Sequence, residues 1–175
     1  MNRPALPRLL AGTILALSFS AVVYAQTTNP VIAEAKQAYT TVKNNLLKAA
    51  DKMPEDAYSF KPVAEIQSFA ERMNHVAGQI RTCSAITGER KQPASAATKA
   101  EIVAALKASF DACDAAWDSL NDKTAMEMIQ AGRGGQRSKL GVLIGNTNHD
   151  SEMYGYISVY LRLKGIVPPS SDRSM

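Results

Sequence analysis

The chain has 175 residues, 46% of them hydrophobic and 21% charged, with 20 Lys and Arg against 16 Asp and Glu and a net charge of +4. That is enough sequence for one ordinary domain with a real core, and it is too balanced in charge for a disordered tail. The apparent basicity narrows once the N-terminus is read.

Arg3 and Arg8 give a positive start, Leu9 to Val23 is apolar and free of charge, and Val23-Tyr24-Ala25 places small residues at a cleavage position. Residues 1–25 are therefore expected to be a cleavable signal peptide, which makes the protein periplasmic or secreted. As a membrane anchor the run is short of the roughly 20 apolar residues a spanning helix needs, and Gly12, Thr13, Ser18 and Ser20 interrupt it. No stable membrane insertion is expected after cleavage. Loss of Arg3 and Arg8 lowers the net charge to about +2. No basic cluster remains, so nucleic acid is excluded as a partner.

Asn29-Pro30 is a cap followed by proline at the first helical position. Ala35, Tyr39, Val42, Leu46, Ala49 or Ala50, and Met53 then recur every three or four residues, and Pro54 stops the helix. Residues 54–67 carry two prolines and no sustained period, which marks a connector. Ser68-Phe69-Ala70-Glu71 is a capping box, in which the serine oxygen and the glutamate each take a free backbone N–H. The helix it opens places Phe69, Met73, Val76, Ile80 and Cys83 on one face and closes at Gly88. After a loop over 91–97, Thr98-Lys99-Ala100-Glu101 repeats the box. Ile102, Leu106, Phe110, Cys113, Trp117 and Leu120 form the next stripe.

A short apolar turn around Met126 to Ile129 leads to Gly132-Arg133-Gly134-Gly135. That cluster lacks the lysine and hydroxyl of a phosphate-cradling loop and reads as a flexible linker. Ser138 caps a last helix running to Lys164, with Gly165 and Pro168-Pro169 beyond it. No alternating strand pattern and no internal repeat is present. The expectation is all-α, a four-helix bundle.

Cys83 and Cys113 lie on the apolar stripes of successive helices, so both point inward. They are either two small buried hydrophobes or a disulfide, and export favours the disulfide. The bond would close a loop of about 30 residues, worth roughly 3–4 kcal/mol in the chain-entropy view.

The only two histidines carry the remaining chemistry. His149 shares a stripe of the last helix with Val142, Asn146, Met153, Tyr156 and Tyr160. His75 sits on the flank of the second helix's apolar face, aligned with Arg72, Gln79 and Ile86. Residues four apart on one face suit shared coordination of an ion. Two helical histidines on their own are more often structural, each satisfied by a hydrogen bond.

The segments Asn148-His149-Asp150-Ser151-Glu152-Met153-Tyr154-Gly155 and Tyr160 to Ser170, Met53 to Pro62, Ser68 to Glu71, and Asn74-His75-Val76-Ala77 resemble, in order and spacing, the DinB/YfiT-like helical bundles. The resemblance covers nearly all of residues 26–175, which makes that stretch the DinB-like domain. It implies a bundle with a divalent ion, zinc or nickel, held by one histidine on the second helix and two, four apart, on the fourth. Some members are thiol-dependent transferases or isomerases. By this correspondence His75 and His149 match two ligands, and Met153 stands at the third position.

Three outcomes then compete. The site is degenerate and keeps a pocket without a tightly bound ion; or water, Asp150 or Glu152 completes a weaker site; or the Met153 thioether selects copper. The expected function is a small-molecule or weak metal binder. The alternative is a metal-dependent transferase or hydrolase acting on a small electrophile that Asn146, Tyr154 or Tyr156 orients. A third reading is an interaction protein that forms a homodimer.

Overall fold

The computed structural model describes residues 29–131 and 135–173. The expected signal segment, residues 1–25, lies outside them, as do Gly132, Arg133 and Gly134 of the glycine cluster. The helices are α1 (Pro30–Lys52), α2 (Phe69–Ala77), α3 (Ile80–Ile86), α4 (Lys99–Asp118) and α5 (Lys139–Leu163). α2 and α3 together occupy the second arm of a four-helix bundle. α1 packs on α5 and α4, while α2 and α3 pack on α4 and α5. No described helix is long and apolar enough to cross a membrane.

The starts follow from the caps. The Asn29 side chain accepts from Val31 N, and Pro30 enters the first turn. Both capping boxes form, Ser68 with Glu71 and Thr98 with Glu101. The connector does more than link, because Phe60 O and Tyr58 O accept from Phe69 N at 3.1 Å and Ala70 N at 2.9 Å. Two more orphan donors of the α2 start are satisfied that way. At the far end of α5, Gly165 takes φ +71° and Ile166 N returns to Leu161 O at 2.9 Å, a left-handed cap suited to glycine.

Two details depart from the sequence reading. The second arm is not one continuous helix: it breaks at Gly78-Gln79. Gly78 N is shared between Asn74 O and His75 O, each at 3.1 Å, and a Cβ at position 78 would lie 3.0 Å from His75 O. The glycine thus permits a tightened turn directly after His75. Strands also exist, contrary to expectation. β1 (Met128–Gln130) pairs antiparallel with β2 (Gln136–Ser138), Ile129 opposite Arg137, and Gly135 at φ +78° leads into β2. Strands of three residues are too short to show a period of two. Ser138 ends β2 and also caps α5, accepting from Gly141 N at 3.1 Å.

The core centres on Tyr39, Leu46, Phe69, Met73, Ile102, Phe110, Trp117 and Ile157, all essentially without solvent exposure. Cys83 and Cys113 are fully buried and form a disulfide that ties α3 to α4. Polar residues also enter the interior. Gln79 Nε2 reaches Ser109 Oγ at 3.4 Å, Asn146 Nδ2 donates to Gln79 Oε1 at 2.6 Å, and Asn146 Nδ2 lies 3.3 Å from Asp150 Oδ2. Asp150 is fully buried, and its Oδ1 has no hydrogen-bond partner. Burial pushes its pKa up to about 8, because the ionised form loses its hydration there.

Two predictions follow from this core. Replacing both cysteines by alanine is expected to lower unfolding free energy by about 3 kcal/mol, read from urea midpoints; a loss under about 1 kcal/mol would show that the crosslink adds little. Asp150 is protonated in the fold and ionised when unfolded at neutral pH. Its contribution is therefore fully present below pH 3.8, its unfolded value, and is lost as pH rises towards 8. The stability of Asp150→Asn relative to the parent should accordingly grow between pH 4 and 8, and parallel pH–stability curves would refute the assignment.

Candidate metal centre between the second and fourth arms

α2 and the turn that follows it run antiparallel to α5, and three pairs of side chains meet across them like rungs. Arg72 Nη1 lies 4.0 Å from Met153 Sδ, His75 Nε2 lies 2.9 Å from His149 Nε2, and Gln79 meets Asn146 as described. The steps are three and four residues on each side, so all six residues project from facing stripes. The hydrophobic flanks that bury Met73, Val76 and Ile157 press the two helices together and so hold the histidines in contact.

The imidazoles meet edge to face, with centroids 5.0 Å apart and planes at 71°. His75 is exposed and the His149 side chain retains 41% of its exposure, so the pair opens to solvent. Burial, then the charges of His149 and Arg72, hold the His75 pKa below its usual value. His75 is therefore neutral at pH 7 and keeps a lone pair available. Glu152 Oε2 stands 3.9 Å from His149 Nδ1, while Glu152 Oε1 accepts from the Tyr156 hydroxyl at 3.0 Å. A carboxylate on the Nδ1 side favours the tautomer whose Nε2 is free to accept.

This geometry suits two ligands of one ion. With metal–nitrogen bonds of about 2.0–2.1 Å, nitrogens at the observed separation subtend roughly 90° at a shared ion. The rest of a three-histidine set is missing. Met153 is buried in the core, and its sulfur faces a guanidinium rather than an open coordination position. No group of three His, Cys, Asp or Glu suited to holding a metal occurs among the described residues. A three-histidine zinc or nickel centre does not fit this chain.

The other residues considered from sequence separate clearly. Asp150 is fully buried, with Oδ2 3.3 Å from Asn146 Nδ2. Asn146 is partly buried, its amide nitrogen shared between Gln79 Oε1 and Asp150 Oδ2. Tyr154 is taken by the C-terminal segment, its hydroxyl bonding Ser170 Oγ at 2.9 Å and accepting from Ser170 N at 2.8 Å. Tyr156 is exposed, with the Arg72 guanidinium 4.4 Å above its ring. Arg72 is the functional candidate that sequence reasoning passed over. Its signal was its place one turn before His75 on the same flank.

A separate concavity of about 550 Å³ lies where the starts of α2 and α4 meet the connector, lined by Tyr58, Lys61, Glu71 and Lys99 among others. It contains none of the cleft residues. The helix N-termini beside it are already capped by Glu71 and Glu101.

Comparison with known proteins agrees with the architecture. A DinB-like protein from Bacillus cereus ATCC 10987 superposes with a TM-score of 0.66 at 18% identity, over 79% of this chain and 95% of that one. A DinB-like protein from Bacillus subtilis gives 0.64 at 19% identity, over 83% and 99%. At these identities the likeness is one of fold. No curated protein matches the chain. The sequence model of the DinB superfamily matches residues 38–157, a span that contains every rung of the cleft. This chain belongs to the DinB superfamily.

Proposed function

We propose that the protein is an exported member of the superfamily whose centre is a two-histidine remnant of a three-histidine metal site. It serves as a small-molecule or weak metal binder. The observation that carries this reading is the 2.9 Å contact between His75 Nε2 and His149 Nε2, with Met153 on the neighbouring rung. Two imidazoles converge as ligands would, yet among the described residues no third His, Cys, Asp or Glu joins them.

The energetics favour weak binding. Removing one of three imidazoles takes away a strong nitrogen donor, and a thioether is a poor substitute for zinc or nickel. The Arg72 charge beside that sulfur repels a cation directly. Glu152 offsets part of that repulsion, but its carboxylate is turned to Tyr156 and His149 Nδ1. Export is supported by the Arg3 and Arg8 start, the apolar run to Val23 and the Val23-Tyr24-Ala25 cleavage pattern. A buried disulfide between Cys83 and Cys113 is compatible with an oxidising compartment.

Elemental analysis of protein purified without chelator or histidine tag should find less than one transition metal per chain. A stoichiometric ion that disappears in His75→Ala or His149→Ala would refute the remnant reading. Met153→His, which restores the third imidazole, is expected to raise zinc or nickel affinity at least about tenfold. An unchanged affinity would mean that the backbone geometry no longer supports three ligands.

A further inference from the structure

Arg72 is held as if for a ligand. Its Nε donates to the Tyr160 hydroxyl at 3.1 Å, and that hydroxyl in turn donates to Gln67 O. Its guanidinium lies 4.4 Å from the Tyr156 ring centre and 5.6 Å from that of Tyr160, so two aromatic faces fix its plane. With Nε occupied, the two terminal nitrogens form the free edge of the fork. The protein offers that edge one weak acceptor, the Met153 sulfur at 4.0 Å.

None of the ion pairs among the described residues includes Arg72. The acid of the cleft, Glu152, accepts from Tyr156 and flanks His149 instead. A half-buried, oriented guanidinium without a carboxylate is electrostatically incomplete. His75 stands three residues further along the same face of α2, with His149 in contact with it. The fixed guanidinium charge beside the imidazole pair disfavours a cation there and favours an anion.

We infer that the cleft binds the carboxylate of a small organic acid, with Arg72 as its anchor and the His75–His149 pair as the second point of contact. The inference rests on reading the site as a small-molecule cleft without a tightly held ion. A planar carboxylate matches the two terminal Arg72 nitrogens side by side. The exposed Tyr156 ring provides apolar surface for the organic body beside that anchor. The Glu152 carboxylate near His149 disfavours a dianion such as phosphate.

Benzoate serves as the probe, with inorganic phosphate and zinc titrated separately, and histidine ring resonances report binding in each case. Benzoate should shift both His75 and His149 signals saturably, and phosphate should bind more weakly. Arg72→Gln is expected to weaken benzoate binding about tenfold or more, the effect of losing a charge-assisted hydrogen bond. Arg72→Lys keeps the charge without the fork and should weaken it several-fold. Should the glutamine variant fail to fold, the lysine variant decides. Parent-like affinity in the variant that folds, absence of a saturable benzoate shift, or tighter binding of phosphate would each overturn the inference. Tight zinc binding at one equivalent would instead sink the underlying remnant reading, whereas weak zinc with no benzoate response sinks only the carboxylate assignment.

Discussion

The antiparallel register of α2 and the turn after it against α5 governs the chemistry of this protein. It brings His75 to His149, and in the same stroke it brings Arg72 to Met153 and Gln79 to Asn146. A shift of one turn would pair each of these side chains with a stranger. The register is kept by the apolar faces beneath it, chiefly Met73, Val76 and Ile157, and by the disulfide that fastens the far end of the second arm to α4. Gly78 adds a local adjustment by letting the chain tighten just after His75.

Along this ladder the environment changes from dry to wet. The Gln79–Asn146 rung continues into the fully buried Asp150, a carboxyl group kept neutral by its surroundings. The histidine rung opens to solvent, and the Arg72 rung combines a buried thioether with an aromatic-backed cation. An ion at the histidines would therefore have an apolar sulfur and a positive charge on one side and a neutral amide pair on the other. Neither neighbour helps a divalent cation. Both are compatible with a neutral or anionic organic ligand.

Much of the architecture was legible in the sequence because its signals are local. The three- and four-residue spacing of Tyr39, Val42 and Leu46, and the two capping boxes at Ser68 and Thr98, depend only on near neighbours. The break at Gly78 was not legible, since one glycine inside a good pattern is compatible with a continuous helix. The β1–β2 hairpin was hidden by its brevity. The pairing of Cys83 with Cys113 was narrowed by their inward faces, and the fold closed the question. At the cleft, helical periodicity placed His75 and His149 on the right faces. It could not reveal that Asp150 is buried beside Asn146 or that Arg72 lacks a carboxylate partner, because those facts depend on what the opposite helix presents.

On the reading proposed above, the converging His75 and His149 hold no tightly bound metal ion. The most direct test is to follow the histidine ring nitrogens by NMR in metal-free protein as zinc is added. The expected result is signals that move gradually, in fast exchange, and continue to move past one equivalent of zinc. Separate free and bound signals that interconvert slowly, with conversion complete at one equivalent, would contradict that reading.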